Sequence, residues 1–131
     1  MKAQALEDAD LILASEYGLL EVVDTLIHSS VDVNAADEDG YTPLLIASQE
    51  GHHHIVEHLV LSKADVNAAE NGGATPLSWA SQEGHHAIVE RLIFSKADVN
   101  TAEEDGCTPL HWASFTGHHD IIERLVCPKR M

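Results

Sequence analysis

Residues 40–72 read GYTPLLIASQEGHHHIVEHLVLSKADVNAAENG, and residues 73–105 read GATPLSWASQEGHHAIVERLIFSKADVNTAEED; 23 of the 33 positions are identical and no gap separates the two stretches. The register extends outward from them. Gly18, Gly51, Gly84 and Gly117 are spaced 33 apart, as are Asn34, Asn67 and Asn100 and, over three units, Pro43, Pro76 and Pro109. A fixed period of this length marks an array in which each unit is one supersecondary element stacked on the next.

The unit has a physical reading of its own. In Thr42-Pro43-Leu44 the threonine hydroxyl suits the free amides at a helix start, and proline suits the first helical position, so Thr42, Thr75 and Thr108 predict helix N-termini. About eight residues later Gly51 supplies a turn. A second helix follows, in which Ile55, Val56, Leu59 and Val60 form an apolar stripe of helical period while Glu57 and His58 face away. Ala64-Asp65-Val66-Asn67 and the polar stretch to Gly73 predict an extended arm that turns back on itself. Helices this short are marginal alone, and one apolar stripe per helix cannot be buried inside one unit, so the units must stack.

The chain has 131 residues, 44% of them hydrophobic and 22% charged, which is ordinary globular usage and enough for one domain, 1–131. Its net charge of −15 disfavours nucleic acid and anionic membrane surfaces as partners. The apolar runs are too short for a spanning helix, and the acidic start does not read as a signal peptide. Two cysteines, Cys107 and Cys127, suit free thiols in a reducing compartment, and the expected residence is intracellular and cytoplasmic.

The runs GYTPLLIASQEGHHHIVEHLVLSKADVNA, GATPLSWASQEGHHAIVERLIFSKADVNT and GCTPLHWASFTGHHDIIERLV closely resemble ankyrin repeats. The resemblance implies an all-α solenoid of helix-turn-helix units with β-hairpin-like arms: an N-terminal capping repeat (1–39), repeats at 40–72 and 73–105, and a C-terminal capping repeat (106–131). In the first unit Asp8 to Asp10 replace Thr-Pro-Leu. Two further departures carry expectations. Where the family has glycine before Ala-Asp-Val-Asn, this chain has Ser30, Lys63 and Lys96, three expected sites of left-handed backbone strain. Where the family has histidine after Thr-Pro-Leu, only His111 keeps it and Leu45 and Ser78 do not, so the polar ladder that histidine makes between repeats is expected to be interrupted.

The resemblance further implies a non-catalytic, monomeric protein-binding module that uses a concave face of arm tips and first helices. By position, the tips contribute Glu38, Asp39, Tyr41, Asn71, Ala74, Glu104, Asp105 and Cys107. The first helices contribute Ile46, Gln49, Glu50, Trp79, Gln82, Glu83, Trp112 and Phe115. Mismatches between the two central units fall largely on this face, at 41, 45, 46, 68, 71 and 72 among others. The acidic tips suit a partner with a basic surface, and equally read as solvated loop charge. Trp79 and Trp112 read either as interface anchors or as wedges between helix pairs. Two alternatives stand beside this function: an engineered or isolated scaffold with no physiological partner, and a histidine-dependent pH-responsive binder.

Seven of the ten histidines cluster as His52-His53-His54, His85-His86 and His118-His119, each cluster just after a turn glycine. Consecutive helix positions diverge by about 100 degrees and neighbouring repeats lie roughly 10 Å apart, so no metal site is expected and the first histidine of each cluster reads as structural. Protonating neutral, partly buried rings would lower stability between about pH 7 and pH 5. Cys107 and His111 are four apart, but no third orienting group accompanies them and no enzyme is expected. Without a phosphate-cradling glycine loop, a paired CxxC or an EF-hand run, no cofactor is expected either.

Overall fold

A computed structural model of the chain describes residues 7–127. Among these residues there are eight helices and no strand: α1 (Asp8–Glu16), α2 (Leu20–Ile27), α3 (Pro43–Glu50), α4 (His53–Leu61), α5 (Pro76–Glu83), α6 (His86–Phe94), α7 (Pro109–Thr116) and α8 (His119–Val126). They stack in series as four pairs, an all-α repeat solenoid.

The helix starts follow from the Thr-Pro steps. Thr42 Oγ1 accepts from the Leu45 N–H at 3.2 Å, and Thr75 and Thr108 repeat the bond with Ser78 and His111. At α1, which lacks the threonine, Asp10 accepts from the Glu7 N–H at 3.0 Å, and Asp8 accepts from the Asp32 N–H at 2.7 Å, tying the helix start to the arm after α2. The first helices end at Gly51, Gly84 and Gly117 with φ of 84°, 78° and 74°.

Just past the ends of the second helices α4 and α6, Lys63 and Lys96 take φ of 75° and 72°, as the replaced glycines predict. Ser30 departs from that expectation: among the described residues it is not in the left-handed region. The reason is local. Helix α2 stops at Ile27, the Ser29 hydroxyl donates to the Leu26 carbonyl at 2.7 Å, and the β-branched Val31 stands half-buried where the smaller Ala64 and Ala97 are buried.

One continuous core runs through the stack, built from Leu11, Val23 and Leu26, then Leu44, Ile55, Val56 and Leu59, then Leu77, Ile88, Val89 and Leu92, then Ile121 and Leu125. The first helices touch through small residues, Ala14, Ala47, Ala80 and Ala113, all buried. They therefore approach one another more closely than the second helices do, which carry Ile, Val and Leu, and the stack bends with the first helices on its inner side.

Each arm is a tight turn closed like a hairpin. The Asp37 N–H donates to Tyr41 O at 3.0 Å, Glu70 to Ala74 at 2.9 Å and Glu103 to Cys107 at 2.8 Å. Neighbouring arms are stitched together by Asn34 and Asn67, whose Oδ1 atoms accept from the Asp65 and Asp98 N–H groups at 2.7 Å. Nearer the tips, the Asn71 N–H donates to Asp39 O at 2.9 Å and Glu104 to Gly72 at 3.0 Å. Ser78 and His111, at the position of the family's ladder histidine, bond back to Thr75 and Thr108 of their own units.

Candidate interaction surface

The inner side of the stack carries the arm tips and the exposed faces of α3, α5 and α7. Glu38, Asp39, Asn71, Glu104 and Asp105 are exposed at the tips, and Glu50, Glu83 and Phe115 on the helices. Tyr41, Ile46, Gln49, Trp79, Gln82, Cys107 and Trp112 are half-buried. Ala74 is different: it is only 6% exposed, because the arm closes on it, its N–H donating to Glu70 Oε1 at 2.8 Å. It offers a partner almost no surface. Asn71 is exposed but acts as a strut, its Nδ2 donating to Glu38 O at 3.1 Å.

The aromatic residues form two groups. Tyr41 and Trp79 lie with ring centroids 6.3 Å apart, tilted by 42°. Farther along, Trp112 meets Phe115 edge-on at 5.9 Å, and the His111 ring stacks on Phe115 at 6.3 Å. Both tryptophans are half-buried, so each keeps part of its ring accessible. The Trp112 Nε1–H donates to Glu103, whereas Trp79 Nε1 is buried without a protein partner.

Glu103, one of the acidic tip residues, is joined on this surface by Glu70, which was not singled out by position in the repeat. The signal was available: Asp37, Glu70 and Glu103 share the 33-residue register and each sits one turn of the arm before its tip. Their carboxylates shape the local electrostatics. Burial first, then Glu70, Asp37 and Asp39, push the Tyr41 hydroxyl above its usual value. Glu103 is likewise raised, first by burial and then by Asp105 and Glu70, against the lowering effect of the Trp112 hydrogen bond. Partial burial, Asp105 and Glu103 raise the Cys107 thiol, which stays protonated and weakly nucleophilic at neutral pH. His111 Nδ1 is engaged by the Thr108 N–H at 3.0 Å and faces Thr108 Oγ1 at 3.1 Å, so the activating contact a thiol–imidazole pair needs is taken up elsewhere.

The histidines divide by position. His52 Nε2 bonds Glu16 O at 3.0 Å and His85 Nε2 bonds Gln49 O at 3.1 Å, each reaching the preceding repeat. Their rings, with that of His118, cover Gly18, Gly51 and Gly84 so closely that a Cβ there would lie 2.6–2.7 Å from a ring carbon. The first histidine of each cluster is structural, as read from the sequence. Several of the remaining histidines face carboxylates: His86 lies 3.3 Å from Glu90, and His28 and His58 lie 3.6 and 3.4 Å from Asp24. At the start of α4, the atoms of His53, His54 and Glu57 come together despite the divergence of consecutive helix positions.

Among the described residues no helix is long and apolar enough to cross a membrane. No curated protein matches the chain. Residues 11–103 match the family described as ankyrin repeats (3 copies), and residues 105–129 match the single ankyrin repeat. With thirty-three-residue register, paired helices and closed arms all in agreement, the chain belongs to the ankyrin repeat family, whose units serve in general as protein–protein interaction modules.

Proposed function

We propose that the chain is a non-catalytic binding module that docks a protein with a basic surface on its inner face, inside the cell, where Cys107 and Cys127 remain free thiols. The observation that carries this reading is the alternation of aromatic rings and carboxylates along that face: the Tyr41–Trp79 pair, with Tyr41 beside Glu70, then the Trp112–Phe115 pair, with Trp112 beside Glu103. A guanidinium or ammonium group gains from both, through the ring faces and through the charges. The exposed Glu38, Asp39, Glu104 and Asp105 would steer such a partner toward the face. The arms are locked to one another by backbone hydrogen bonds, so docking orders little that is not already ordered.

Capture from cell extract followed by crosslinking mass spectrometry tests this. Crosslinks should map to the tips and to α3, α5 and α7. Affinity should fall steeply with added salt, and Phe115→Ala, an exposed ring with no core role, should weaken binding by about ten- to thirty-fold without changing the melting temperature. A captured partner crosslinked only to the second helices, or insensitive to both salt and Phe115→Ala, would overturn the reading.

A further inference from the structure

On the outer side of the stack, at the first turn of α4, three metal-ligating groups converge. Their order along the chain explains how. His52 is committed to the Glu16 carbonyl, which leaves the next two histidines free to turn toward solvent. His53 lies four residues before Glu57 and His54 three, the two spacings that place side chains on one helix face. The carboxylate sits between the imidazoles: His54 Nδ1 is 3.3 Å from Glu57 Oε1, and His53 Nε2 is 3.9 Å from Glu57 Oε2. All three ligand atoms lie within 4.8 Å of one another, and the two rings are 5.2 Å apart.

We propose that His53, His54 and Glu57 form a binding site for one divalent transition-metal ion of the zinc class. Ligands 2.0–2.1 Å from a tetrahedral ion are about 3.3 Å from each other, so one edge of the required triangle is already in place and small side-chain rotations close the rest. Two imidazoles and one carboxylate are a donor set for zinc, nickel or copper rather than for magnesium or calcium, which take oxygen ligands. The side chains are 38%, 75% and 34% exposed, so the ion has an open path in, and water completes its coordination. The neighbouring units supply a built-in comparison. In the next one His86 still faces Glu90, but Ala87 stands where His54 does and Arg124 Nε holds Glu90 at 2.6 Å. That pair lacks the second imidazole and its carboxylate is neutralised. The site is therefore particular to α4 and independent of the inner face.

Calorimetric titration of the intact chain with zinc chloride, in a non-chelating buffer, tests the assignment. One ion per chain is expected. His53→Ala, His54→Ala and Glu57→Gln should each weaken it at least about tenfold, whereas His86→Ala should leave it unchanged. His54→Ala writes the residue found at the equivalent position 87, so the fold should survive, and circular dichroism checks this. As a second measurement on the unmutated chain, zinc should shift the ring resonances of His53 and His54 before those of His86. An absence of binding, several equivalent ions per chain, equal losses in His86→Ala, or an affinity untouched by His54→Ala would overturn the proposal.

Discussion

Lys63 and Lys96 hold a backbone angle that L-residues avoid, with φ of 75° and 72°, because the helix ending demands it: the Lys63 N–H reaches Val60 O at 3.1 Å and the Ala64 N–H reaches Leu59 O at 3.0 Å. Each such residue costs about 1 kcal/mol relative to glycine. Lys63→Gly and Lys96→Gly should each raise stability by that amount in urea denaturation, while Ser30→Gly, outside the left-handed region, should give no gain; equal effects at all three sites would contradict the account. Glu103 makes a second prediction. Its folded pKa is raised, so folding favours the protonated carboxyl: that contribution is complete below the ordinary carboxylate range and is lost as pH rises through the folded pKa. Ionised Glu103 is thus a net cost at pH 7. Glu103→Gln keeps an oxygen for the Trp112 indole and should stabilise the chain at pH 7 by on the order of 0.5 kcal/mol, the partial exposure limiting the gain. The gain should vanish below about pH 4, where the native carboxyl is itself neutral. A destabilised variant at pH 7, or a gain that persists in acid, would count against it.

At the scale of helices and turns, most of what the structure displays was legible in residue types at fixed offsets. Thr-Pro marks the helix starts, Gly51 and its equivalents the turns, and the Ile-Val-Leu stripe the buried face, since each is imposed by backbone chemistry that acts over a few residues. What was not legible depends on where side chains reach. Ala74 lies beneath its own arm because Glu70 folds back to its N–H, and Ser30 escapes strain because α2 ends early. The convergence of His53 and His54 on Glu57 is likewise a matter of rotamers, which spacing alone leaves open. The glycine–histidine step joins the two levels. His85 both bonds Gln49 O and roofs Gly51, so His85→Ala should cost about 1–2 kcal/mol, whereas His86→Ala, one residue on and facing solvent, should stay within about 0.5 kcal/mol. Equal costs measured by chemical denaturation would show that the step does not fasten one repeat to the next.

Across the whole molecule, each helix pair contacts only its neighbours, so stability is a sum over units and the interfaces between them. That sum is uneven along the described stack. Leu44 and Leu77 are 1% and 0% exposed, covered by the unit that follows, while Leu110 at the same register is 37% exposed; Ile93 is 8% exposed and its equivalent Val126 61%. The apolar stripe is thus present in α7 and α8 but covered on one side only. Removing a covered leucine costs its transfer free energy and leaves a cavity as well, whereas a partly exposed one gives up less of the first and creates little of the second. Leu77→Ala should therefore destabilise the chain by about 3 kcal/mol and Leu110→Ala by about 1 kcal/mol. The same asymmetry should appear without mutation: amide hydrogen exchange should be slowest in α3 to α6, which have neighbours on both sides, and faster in α7 and α8. If α7 and α8 exchange as slowly as α5 and α6, or the two leucines cost the same, the units are not coupled pairwise and the stack folds as a single indivisible body.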